Sequence, residues 1–243
     1  MNFIFGLIFS LTFILNTAHA FTVNSSTNPN LKGWSGGEVT FYVNTANCPA
    51  GVDVVGIVED ALKVWNKVPT SSLKVKYGGS TTATTSSNPP IVYCEVNFNG
   101  VTGADNNSTP AAASINTGTG QITTGFLVLN VSAGTANISN NTREELTIIM
   151  THEIGHVLGL GHSQTTSGVM YYTYSLKTAL NLAQDDIDGI SYLYPKEELD
   201  FAGCGLVKTL PPPSHRLLLT LFALMLMPLC LYARLRRRIL KKA

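Results

Sequence analysis

His152-Glu153-Ile154-Gly155-His156-Val157-Leu158-Gly159-Leu160-Gly161-His162 is the stretch that decides how this 243-residue chain is read. Just ahead of it, Thr142-x-x-Glu145 is a capping box, which opens a helix through Leu146, Ile149, Met150, His152, Glu153 and His156. Residues four apart share one face of a helix, so His152 and His156 turn their imidazoles to one point. Glu153, one residue past the first histidine, reaches a water held at that point without being a ligand itself. Gly159 offers a left-handed stop for the helix. The chain then brings His162 back as a third ligand and leaves a fourth position open, the layout of a catalytic zinc site. Chance supplies this pattern in a chain of such composition with a probability on the order of 10⁻⁵, so a helix with scattered histidines is a poor account of it. The remaining histidines, His19 and His215, lie in the terminal segments.

Working outward, residues 38–44 are β-rich and read as a strand, 73–77 as another, 91–98 alternates as a strand does, and 112–115 and 122–130 read as two more, joined through 116–120. Residues 52–68 have helical spacing and end at Pro69. Residues 78–90, 100–110 and 137–141 are rich in Ser, Thr, Asn, Gly and Pro and read as loops. A last helix starts near Asn181 or Gln184 and ends at Tyr194-Pro195. The order is that of an α+β layer arrangement.

The motif resembles that of the metzincin clan of zinc metallopeptidases, H-E-x-x-H-x-x-G-x-x-H followed by a Met-turn, and Met170 in Ser167-Gly168-Val169-Met170-Tyr171 matches the turn. Within the clan the chain is most similar to the matrixins, matrix metalloproteinase-like enzymes. Gly159 to Ser163 gives their Gly-Leu-Gly-His-Ser, and 185–194 fits their D-D-I-x-G-I-x-x-L-Y pattern. The likeness is strong over 142–195 and only architectural over 34–141. It implies a zincin-like catalytic domain: a twisted, mostly N-terminal sheet, an active-site helix, and a short C-terminal subdomain after Gly159 that ends in a helix. It also implies one catalytic zinc on His152, His156 and His162, Glu153 as catalytic base, Met170 beneath the metal, and a peptide substrate extended along an edge strand within 112–115 or 122–130. Tyr172 stands where matrixins often have proline, and Tyr174 matches a tyrosine of the pocket wall. Both are assigned to the substrate pocket, with an astacin-like approach of Tyr172 to zinc as the alternative. The extra histidines that hold a structural zinc in animal matrixins have no counterparts, and no residue set indicates calcium.

The ends point to export. Residues 1–20 join an apolar run to Ala18-His19-Ala20, the form of a signal peptide cleaved before Phe21. A domain at 21–200 and a Gly/Cys- and Pro-rich linker at 201–216 follow. Residues 217–233 are uncharged and bounded by arginines, which reads as a transmembrane or sorting-signal helix, with 234–243 as a basic cytoplasmic tail. The expected location is therefore the cell envelope or surface, with the domain outside and held by that span. A sorting enzyme acting near Gly203-Cys204 is the other partner, and would release or re-anchor the domain. Cys48 and Cys94 each lie beside a strand, and an oxidising compartment permits them to pair. Between Phe21 and Leu210 nine basic residues face fifteen acidic ones, while the tail is wholly basic. A body of that sign excludes nucleic acid as partner. The expected function is an exported, monomeric zinc endopeptidase that hydrolyses peptide bonds through a zinc-bound water activated by Glu153. A non-catalytic zinc-bearing surface module and a narrow envelope-processing peptidase are the alternatives.

Overall fold

Alternating apolar residues at Val39, Phe41 and Val43 bury one face of strand β2 (Glu38–Asn44), and this strand sits inside the sheet. The computed structural model describes residues 21–24, 30–173 and 180–196. Among them, β2 joins β1 (Lys32–Trp34), β3 (Lys74–Ser80), β4 (Ile91–Glu95), β5 (Ala111–Gly118) and β6 (Gln121–Asn130) in one mixed sheet. The order runs β1-β6-β4-β2-β3, with parallel pairs throughout, and β5 pairs antiparallel to β6 alone. β6 is therefore interior and β5 is an edge, a distinction that two adjacent apolar runs could not make by themselves. Cys48 and Cys94 are joined by a disulfide, which ties the loop after β2 to β4.

Helices α1 (Val54–Trp65) and α3 (Arg143–Val157) pack on each other and on the sheet, and α2 (Phe98–Thr102) and α4 (Gln184–Leu193) complete the helical set. α1 starts where the Asp53 side chain accepts from Gly56 N–H, later than the periodicity suggested. β4 stops at Glu95 rather than 98. Phe98 is buried, but as the first residue of the short helix α2, so its apolar character reads equally as strand. β3 continues through Gly78 and Gly79 to Ser80, and the β5–β6 connection is tighter than expected, turning at Thr119-Gly120. β1 has only three residues and carries no alternation to read.

The end of α3 is held by aromatic side chains from far along the chain. Trp34 Nε1 donates to the Val157 carbonyl at 2.9 Å, and the Tyr194 hydroxyl donates to the Leu158 carbonyl at 2.8 Å while accepting from Trp34 N–H at 3.1 Å. Burial pushes the Tyr194 phenol far above its ordinary value, so it remains a donor. Tyr194→Phe leaves a buried N–H and a buried carbonyl without this partner, and is expected to lower stability by about 1–3 kcal/mol in urea unfolding.

Anchoring at a cell envelope or surface needs correction. A crossing helix needs about 20 apolar residues, whereas the longest described helix, α3, has 15 and carries charged residues. No helix among the described residues is long and apolar enough to cross a membrane. Residues 1–20 and 217–233 lie outside the described residues, and a surface-anchored location is not retained.

Candidate functional site

α3 opens as a complete capping box: Glu145 N–H donates to Thr142 Oγ1 at 3.2 Å, and Thr142 N–H donates to Glu145 Oε2 at 2.8 Å. From Leu146 to Val157 nearly every residue is buried. A helix enclosed on all sides has little amphipathic signal, which is why its cap and its histidines were more legible than its periodicity. α1 braces it from one side, with Trp65 Nε1 donating to the Thr151 carbonyl at 3.0 Å.

His152, buried, and His156, partly buried, stand one turn apart on α3. Leu158 closes the helix, and Gly159 follows at φ 107°, where a side chain would be strained. The chain then carries the exposed His162 back to them. His156 Nε2 lies 3.1 Å from His152 Nε2 and 3.2 Å from His162 Nε2. His152 Nδ1 faces the Val169 carbonyl at 2.7 Å, and His156 Nδ1 faces the Leu160 carbonyl at 2.8 Å. A carbonyl can only accept, so both Nδ1 atoms carry the proton and both Nε2 atoms present bare lone pairs. Lone pairs that close repel unless a cation lies between them. Zinc bonded to imidazole nitrogens at tetrahedral angles sets those nitrogens about 3.3 Å apart, close to the spacing here. The donor set fits such an ion. Burial, together with the neighbouring His152 charge, pushes the His156 imidazolium down to about 3, and burial also lowers His162.

Glu153 is buried, at 6% exposure, beside edge strand β5. Burial raises its carboxyl to about 8 without a metal, and a hydrogen bond from the Ala113 backbone N–H partly opposes this.

Met170, at 1% exposure, packs against α3 at Gly155, between His152 and His156 in sequence, because Gly155 has no side chain. A Cβ on Gly155 would collide with Met170 Sδ and press on Trp65. The Met170 loop is tied to α4 by Asp186, itself 1% exposed. Its carboxylate accepts from Val169 N–H at 2.7 Å, Met170 N–H at 3.1 Å and Ala183 N–H at 2.8 Å. α4 thereby fixes Val169, whose carbonyl fixes the His152 ring. In the sequence Asp186 appeared only as part of a C-terminal pattern, and nothing local revealed this role. Asp186→Ala strips three buried N–H groups of a charged acceptor. It is expected to cost about 3 kcal/mol or more in urea unfolding, with Asp186→Asn in between.

Residues 33–195, well over half of the chain, match the family described as Matrixin. The chain belongs to the matrixin family. Over 51 residues it is 53% identical to Metalloendoproteinase 1 of Glycine max, covering 21% of this chain and 17% of that protein. Over 48 residues it is 54% identical to Matrilysin of Homo sapiens, covering 19% and 18%. Over 64 residues it is 44% identical to Stromelysin-1 of Rattus norvegicus, covering 24% and 14%. The match thus spans less than a fifth of each relative's length. A matrixin implies zinc, and the three-histidine cluster fits a zinc site.

The structure brings His152, His156 and His162 together, with Glu153 next to His152 on α3 and Met170 against Gly155. Tyr172 lies at the surface, 64% exposed, with its ring 4.4 Å from that of Tyr171. Tyr174 is outside the described residues.

Proposed function

We infer that this matrixin is a zinc-dependent endopeptidase, with His152, His156 and His162 holding one zinc and Glu153 acting as general base. The observation that carries the reading is the convergence of three imidazole nitrogens next to a buried carboxylate on an exposed sheet edge. Zinc bound there supplies a Lewis acid that activates water and polarises the carbonyl under attack.

The remaining work falls to the chain's own groups. A positive charge among the histidines favours the ionised form of Glu153, offsetting the burial that otherwise keeps it neutral. A carboxylate oxygen of Glu153 takes the proton of the attacking water as its oxygen bonds to the carbonyl carbon. It then delivers that proton to the amine nitrogen as the C–N bond breaks. β5 pairs only with β6, so its free backbone edge offers hydrogen bonds to an extended peptide, in the manner of an added strand. Met170 supports the histidines from below, and Tyr172 contributes to the pocket wall. The catalytic domain covers 21–200, is monomeric, and is exported by way of residues 1–20 with cleavage before Phe21.

A peptide-library digest followed by mass spectrometry tests this. Cuts at internal bonds that disappear with a zinc chelator are expected. Release of terminal residues alone, or cuts that survive the chelator, would contradict it.

A further inference from the structure

Two of the three histidines ride on α3, but His162 stands beyond the helix on an exposed turn. What fixes that turn is the segment at 21–24. Val23 bridges antiparallel to Leu160. Gly161 N–H donates to the Thr22 carbonyl at 2.8 Å, and Asn24 N–H donates to the Gly159 carbonyl at 2.7 Å. The Thr22 hydroxyl donates to the His162 carbonyl at 2.7 Å, and Asn24 Nδ2 donates to the His156 carbonyl at 3.2 Å. Four hydrogen bonds made by two residues, Thr22 and Asn24, thus land on the backbone that carries the second and third histidines.

Two glycines make room for this crossing. A Cβ on Gly161 would meet the Thr22 hydroxyl and the Val23 carbonyl, and one on Gly189 of α4 would meet Leu160 and the Phe21 side chain. Phe21 in turn packs its ring 5.2 Å from that of Tyr192. The segment is therefore clamped to α4 at one end and to the histidine turn at the other. It also lines a cavity of about 470 Å³ beside His156 and His162, opposite Ala113 of β5.

We propose that residues 21–24 are a positioning strap for the metal centre, with Thr22 setting the place of His162 through its backbone. The inference rests on the reading of His162 as a ligand. Groups that orient a ligand commonly alter metal affinity by about 10–100-fold when removed.

The test uses the full chain and needs no substrate: zinc affinity by competition with a chromogenic chelator, and the visible spectrum of the cobalt-substituted protein. Thr22→Val keeps the shape and loses the hydroxyl; Thr22→Ser keeps the hydroxyl. Gly161→Ala displaces the strap from the other side. Thr22→Val and Gly161→Ala are each expected to weaken zinc binding about tenfold or more and to shift the cobalt bands, with Thr22→Ser close to wild type. The double variant is expected to lose less than the two losses combined, because both break one contact. Wild-type affinity and an unchanged cobalt spectrum in a folded Thr22→Val chain would overturn the strap alone. Failure of the wild type to bind zinc, or unaltered binding in His162→Ala, would overturn the ligand reading and the strap with it.

Discussion

The chain carrying Glu153→Gln is expected to keep its zinc and lose peptide hydrolysis by a factor of about 10³ or more. Glutamine preserves the volume of a side chain that is only 6% exposed, so packing beside β5 is retained. It can neither take the proton of water nor return it to the leaving nitrogen, and general acid–base steps contribute about 10²–10⁴-fold. The same substitution has an opposite effect on the metal-free fold. The Glu153 carboxyl titrates at about 8 in the folded chain, above its ordinary 4.5, because burial penalises the charge. Its neutral form therefore favours folding, and that contribution is complete below about pH 4.5 and lost as pH rises through about 8. At pH 8.5 the metal-free Glu153→Gln chain is expected to be more stable than wild type by several kcal/mol, and the gap should close near pH 4.5. Urea titrations at the two pH values measure it. An active Glu153→Gln enzyme would remove Glu153 from the chemistry.

Removing one ligand should remove the response to zinc altogether. With free zinc 1,000-fold above its dissociation constant, binding adds about 4 kcal/mol to the fold. His156→Ala takes away the ring that sits between the other two, 3.1 Å from His152 Nε2 and 3.2 Å from His162 Nε2. In that variant zinc is expected to leave the melting temperature unchanged, whereas wild type rises by several degrees. The wild-type response also depends on pH. The folded-state value of His156, about 3, is well below its ordinary 6.5. Its contribution to the metal-free fold is thus present above pH 6.5 and is lost as pH falls toward 3. Protons compete for the same nitrogens, so the zinc-dependent shift should shrink on acidification below pH 6.5. Melting curves with and without zinc between pH 5 and 8 show whether it does.

The central helix could be read from its sequence because its signals are local. A capping box, two histidines a turn apart and a stopping glycine all fall between Thr142 and Gly159; Thr142 caps α3, His152 and His156 lie on it, and Gly159 follows its end at positive φ. The strand at Glu38–Asn44 was equally plain, since one of its faces is buried and the other is not. What escaped depends on partners far along the chain. Asp186 holds Val169 and Met170, Tyr194 reaches Leu158, and Trp34 reaches Val157; no spacing rule connects such positions. Phe98 was assigned to a strand because a buried aromatic residue looks the same in a five-residue helix. Which of the two strands at 111–130 forms the open edge is a property of the whole sheet, set by the pairing of β4 with β6. The envelope anchor was inferred from an uncharged stretch with basic flanks, and no described helix supplies a span.

The most direct test of the account is the metal content of the purified chain, measured alongside its cleavage of an unfolded protein such as casein. One zinc per chain is expected, with cleavage abolished by chelation, restored by zinc, and absent in Glu153→Gln despite an unchanged zinc content. A folded chain that takes up no zinc, or one that cleaves equally well without it, would contradict the account.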